Sequence, residues 1–153
     1  MEPLYLEDFV PGQTFESGAA SISADDIIRF AREFDPQPFH TDPEAAKATF
    51  FGGLAASGWH TAALAMRLSI DAVTIAGGLI GAGVEAIEWM APVRPGDHLK
   101  LVIEVVKVVP SKSRPDRGIV HCFHKILNQS GNVVMTFQPK LVVPRRSFAN
   151  SDK

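Results

Sequence analysis

Asp35 and His40 are the residues best suited to chemistry in this chain. They are a carboxylate and an imidazole five positions apart in Asp35-Pro36-Gln37-Pro38-Phe39-His40. Either group can take or give a proton, and the two together could share one water. The two prolines make the connection stiff and predict a non-helical link, so little entropy is lost in fixing both side chains. Aspartate and proline are also ordinary loop residues, so Asp35 ending a helix beside a surface His40 fits the same composition. The stretch continues through Thr41-Asp42-Pro43 and Phe51-Gly52-Gly53 to Ser57-Gly58-Trp59-His60-Thr61.

The elements that must position this pair are legible on either side of it. A turn at Pro11-Gly12 leads to an expected strand from Thr14 to Ile22. Ser23-Ala-Asp-Asp26 then reads as a capping box, and Ile27, Phe30, Ala31 and Phe34 recur at helical spacing. Pro36 forces that helix to stop, leaving Asp35 at its end. Asp42 as N-cap and Pro43 at the first helical position restart a short alanine-rich helix from Glu44 to Phe50, closed by Gly52-Gly53. A longer helix is expected from Gly58 or Trp59 to Ala76, with Ala62, Ala65, Met66, Ser69 and Val73 on one closely packed face. After Gly83 the pattern is all strand: Val84 to Trp89, Leu99 to Val109, Gly118 to Leu127 and Val133 to Val143, separated by turn residues. Strands following one central helix predict an α+β protein, an antiparallel sheet wrapped on that helix.

At 153 residues with 46% hydrophobic content the chain suits one domain, 1–153, with a frayed polar tail at 146–153. A net charge of -2 offers no basic field for nucleic acid; only Arg145-Arg146 and the Lys112 to Arg117 loop are locally basic. The single cysteine, Cys122, excludes an intramolecular disulfide and suits a reducing compartment. The N-terminus lacks the pattern of a signal peptide, and the Ala72 to Val84 run is too short to span a bilayer, so a cytoplasmic protein without membrane partners is expected.

Five histidines do not make a metal site here. In a strand His121 and His124 face opposite ways, so no metal is expected. His98 reads as exposed, and His60, in the first turn of the long helix, as a packing or capping residue. Gly78-Leu-Ile-Gly81-Ala-Gly83 follows a helix rather than a strand, which removes a dinucleotide-loop reading. Trp59 and Trp89 either bracket a substrate or fill the core; core filling is the default, for Met66 as well.

The stretch Asp35-Pro-Gln-Pro-Phe-His40-Thr-Asp42-Pro43-Glu-Ala45-Ala46 resembles the hydratase motif of MaoC-like (R)-specific enoyl-CoA hydratases, D-x-N-P-x-H-x-D-x-x-A-A. Phe51-Gly52-Gly53-Leu54-Ala55-Ala56-Ser57-Gly58-Trp59-His60-Thr61 is similar to the family's F-G-G-P-I-A-H-G-x-x-T, without a gap. Glu88-Trp89-Met90-Ala91-Pro92-Val93-Arg94-Pro95-Gly96-Asp97-His98-Leu99 and Leu141 to Arg146 extend the likeness from about residue 35 to residue 146. The departures are Gln37 for asparagine, Leu54 for proline and Ser57 for histidine.

The resemblance implies a hot-dog fold, a homodimer or higher oligomer, and reversible addition of water to a 2-enoyl thioester giving an (R)-3-hydroxyacyl product. It assigns Asp35 and His40 as the acid–base pair around one water, without saying which is the base, and the Gly58 amide as donor to the thioester oxygen. Glycine at 58 would let the substrate approach the backbone. Ser57 would add a hydroxyl contact. Coenzyme A enters as part of the substrate, with acyl carrier protein the less favoured carrier, and no separate cofactor is implied. Arg94, Lys112, Arg114 and Arg117 are the candidates for its phosphates. Gln37, one methylene longer than asparagine, either points into the acyl site and with Trp59 selects short or polar acyl groups, or turns away to the local backbone. A hot-dog thioesterase and a non-catalytic acyl-CoA-binding module are the alternatives.

Overall fold

Strict alternation builds the sheet. In the strand Arg117–Leu127 every second residue is buried, which sends Val120, Cys122, His124 and Ile126 to one face and leaves their neighbours half-exposed. The computed structural model describes residues 1–148. Its strands are β1 (Thr14–Glu16), β2 (Ala20–Ser21), β3 (Ile80–Trp89), β4 (His98–Pro110), β5 (Arg117–Leu127) and β6 (Val133–Pro144). They form one six-stranded antiparallel sheet in the order β1-β4-β5-β6-β3, with β2 also on β4. Helices α1 (Ala24–Phe34), α2 (Pro38–Thr41), α3 (Pro43–Ala46) and α4 (Gly58–Ala72) precede β3.

The core lies between α4 and the sheet. Thr61, Ala65, Leu68, Ser69 and Ala72 are the buried residues of α4, and Ala65 and Ser69 are small enough to let the helix lie close. Opposite them lie Leu99, Leu101, Ile103, Val105, Val120 and Ile126, all at most 1% exposed. This is the expected α+β arrangement, the hot-dog fold. Met66, expected in the core, is 41% exposed on the other side of α4, with Trp59 and Ile70 beside it on that face.

Four local expectations are corrected. The strand from 14 to 22 is broken because the Ser17 hydroxyl, rather than a backbone carbonyl, accepts the Leu101 amide at 2.9 Å, and Gly18 follows. The helix expected from 44 to 50 ends at Ala46 and continues as turns to Gly52. The link between Asp35 and His40 is not wholly extended, since Pro38 opens a single helical turn that contains His40. Helix α4 ends at Ala72 rather than Ala76 because the β-branched run Val73-Thr74-Ile75 extends to pair with the N-terminal segment: Leu4 donates to the Thr74 carbonyl at 2.8 Å and accepts from Ala76 at 3.0 Å. The expected frayed tail begins with an ordered turn, Arg146–Phe148, in which Arg146 lies over the Tyr5 ring and donates to Asp8. The remainder of that expectation lies outside the described residues. Among the described residues no helix is long and apolar enough to cross a membrane.

Candidate active site

Asp35 owes its position to both ends of α1. Ser23 and Asp26 cap the start reciprocally, each side chain accepting the other's backbone amide. At the far end Asp35 leaves the helix with φ -152°, as a residue before proline must, while its amide still bonds Ala31 at 2.8 Å. The α2 turn then carries His40 back beneath it. His40 is 4% exposed, and its Nδ1 lies 2.6 Å from the Ala55 carbonyl. A carbonyl only accepts, so Nδ1 is the donor of that contact, and Nε2 faces Asp35 Oδ2 at 3.4 Å. That separation is too long for a good direct hydrogen bond and leaves both groups able to hold a third atom.

Two further side chains act on Asp35. The Gln37 amide donates to Oδ1 at 2.5 Å, and the Ser57 hydroxyl donates to Oδ2 at 2.7 Å. Burial pushes the Asp35 carboxyl up, but the donors Gln37 and Ser57, together with the His40 imidazole, outweigh it and hold the group below its ordinary 3.8. Asp35 is therefore a carboxylate at neutral pH. Both expectations for Gln37 are corrected: its amide is spent on Asp35, neither in the acyl site nor on backbone. Ser57 is fully buried, so it is aimed at Asp35 and not at a substrate.

Ser57 is also the N-cap of α4. Its hydroxyl accepts from Trp59 and its carbonyl accepts from His60 and Thr61, and the Gly58 amide, the first donor of the helix, has no partner among the described residues. The glycine also has a packing reason. Any β-carbon at residue 58 would lie 2.6 Å from the Trp89 ring, whose Nε1 donates to the Gly58 carbonyl at 2.8 Å. Trp59 meets Trp89 edge to face at 5.2 Å, and both rings are largely exposed rather than core. Asp35, His40, Gly58, Trp59 and Trp89 line one cavity of about 530 Å³, together with Phe50 and Phe51.

The remaining candidates lie elsewhere. Arg94 does not reach out for a phosphate. Its guanidinium donates to the carbonyls of Phe51, Gly53 and Leu54 and pins the loop that lines the cavity. Arg114 and Lys112 sit in the β4–β5 connection, and Arg117 is held by Asp116. His60 stacks on Phe30 at 4.6 Å, a packing role as expected. His121 and His124 do face opposite ways, and His124 is buried against Ser69 and Phe137. The sequence reading missed the Ala55 carbonyl, which no side-chain pattern signals, and left Phe50 and Phe51 unassigned.

The description "MaoC like domain" matches residues 8–121 of this chain. An uncharacterised Bacillus subtilis protein, YdeM, is 34% identical over 90% of this chain and 96% of its own length. The (R)-specific enoyl-CoA hydratase of Rhodospirillum rubrum is 30% identical over 93% of each chain. Among solved structures, a MaoC-like dehydratase from Rhodospirillum rubrum is 53% identical and superposes with a TM-score of 0.90, covering 94% of this chain and 98% of that one.

Proposed function

Starting from the chain's membership of the MaoC-like domain family, we propose that it hydrates 2-enoyl thioesters, and dehydrates the (R)-3-hydroxyacyl products, with coenzyme A as the carrier. The observation that carries this reading is that an ionised Asp35, His40 and Gly58, whose amide opens α4, line the same largely apolar cavity. Hydration needs a base for water, a proton for C2 and a donor to the thioester oxygen, and this trio supplies them.

In the proposed cycle one water sits between Asp35 and His40. As its oxygen bonds to C3, one proton passes to the Asp35 carboxylate and the C2–C3 π electrons move toward the thioester oxygen, which accepts the Gly58 amide at the positive end of α4. His40 Nε2 then delivers a proton to C2 on the same face. The proton on Asp35 returns to Nε2 and the pair is restored. A preorganised amide donor of this kind is worth about 3 kcal/mol. Incubation with crotonyl-CoA tests the reading: loss of conjugated absorbance without release of free thiol is expected. Thiol release would identify a thioesterase, and no turnover across a panel of acyl-CoAs a binding module.

The active form is a homodimer in this reading. Strand β3 is an open sheet edge that is exposed along nearly its whole length, Ile80 and Val84 being 55% and 50% exposed, and α4 presents Trp59, Met66 and Ile70 to solvent. An open edge beside apolar side chains is normally covered, and a second copy of the chain can cover it isologously. Light scattering should give the mass of two chains or a multiple; one chain at micromolar concentration would overturn this.

A further inference from the structure

We infer that Ser57 is a positioning residue that holds the Asp35 carboxylate in register with the first amide of α4, so that the base and the thioester-oxygen donor are set by one side chain. This rests on the hydratase reading for its kinetic consequence only.

Ser57 is fully buried, and its hydroxyl hydrogen goes to Asp35 Oδ2 at 2.7 Å across 22 residues of chain. The same oxygen accepts the Trp59 amide, so its hydrogen and one lone pair are both engaged in a defined direction. Helix α4 and the end of α1 are thereby joined through one oxygen atom. Gln37 engages the opposite carboxylate oxygen at 2.5 Å, which stops the carboxylate from rotating about its last bond. Oδ2 is the oxygen nearest His40 Nε2, so the Ser57 bond fixes the atom that shares the water. The next residue along the backbone is Gly58. A shift of Ser57 therefore displaces base and amide donor together, which is why a group that cannot touch the substrate affects the reaction.

Isotope-edited NMR of the Asp35 carboxyl carbon, titrated in the wild type and in Ser57→Ala, tests the inference without any substrate. The Asp35 titration is expected to move to higher pH, because a donor to the charged form has been removed. With an enoyl-CoA substrate, kcat should fall about 10- to 100-fold, the cost of misplacing a reacting group, with KM within about twofold, and the acidic limb of kcat should move the same way. Ser57→Thr, which keeps the hydroxyl, should restore both. Should Ser57→Ala not fold, Ser57→Cys keeps the volume and replaces a strong donor by a weak one, so the same displacement is expected. An unmoved Asp35 titration in a folded variant, or a kinetic loss borne by KM alone, would overturn the inference. A wild type inactive on every enoyl thioester would overturn the hydratase reading instead and leave the titration to decide the positioning.

Discussion

The Trp89 indole occupies the space that a β-carbon on residue 58 would need, at 2.6 Å, while its Nε1 holds the Gly58 carbonyl at 2.8 Å. The start of α4 and the end of β3 are thus locked together at the mouth of the cavity, and the glycine is a packing requirement as much as a catalytic one.

Gly58→Ala should therefore destabilise the protein by about 1–3 kcal/mol, the range for overpacking a tight site, besides slowing turnover. Adding Trp89→Ala should recover part of the stability without recovering turnover. Thermal unfolding of the two single variants and the double variant checks it; additive losses would show that the two residues do not share that space.

Asp35→Asn and His40→Ala should each lower hydration by about 10²–10⁴-fold with the fold intact, and the double variant should be little worse than either alone, because the two act on one water. Circular dichroism and the crotonyl-CoA assay together read this. Near-full activity in either variant would remove that residue from the mechanism.

Arg94 answers to three carbonyls of the 51–54 loop. Arg94→Met should cost about 2 kcal/mol of stability, since charged hydrogen bonds to those oxygens are lost. KM should rise by the same factor for a crotonyl-CoA substrate and for crotonyl-pantetheine, which lacks the nucleotide. A rise confined to the CoA ester would restore Arg94 as a phosphate contact.

His124 makes stability depend on pH. Burial pushes its imidazole down to about 4, and among the described residues its Nε2 has no partner. The unfolded chain takes up a proton near 6.5 whereas the native state resists until about 4. Stability that is full above about 6.5 is therefore lost as pH falls toward 4, by up to about 3 kcal/mol. Burial also pushes His60 down, against Asp26, and adds in the same direction. Urea midpoints from pH 7.5 to 4.5 should fall in the wild type and fall less in His124→Leu.

What could be read from the sequence was what local backbone chemistry dictates. The Ser23 cap and Pro36 put Asp35 at the end of one helix, and the glycine after Ser57 marked the start of another, because each acts within a few residues of itself, whereas the helical turn that carries His40 reads as non-helical. The alternation in β5 similarly put His121 and His124 on opposite faces. What escaped depends on distant partners. The hydroxyl of Ser57 finds Asp35 across 22 residues, and Arg94 finds the loop carbonyls across about 40. Helix α4 stops early because Leu4 competes for residues 74 and 76, and no local propensity records that. Gln37 was misplaced for a nearer reason: its length was weighed against a substrate, when a carboxylate two residues back was the shorter reach.

The tie between Glu7 and Arg146 has a consequence for synthesis. Glu7 accepts the Arg146 backbone amide across 139 residues, and Leu4 lies in the groove left by residues 74 to 76. During translation residues 4–8 emerge well before residue 146 and cannot reach that partner until the chain between them is made. Such closure is late and entropically costly, so the final step of folding should be docking of residues 4–8, after the sheet has formed. Pulse-labelled hydrogen exchange during refolding should protect the β5 amides before that of Ala76, which bonds Leu4.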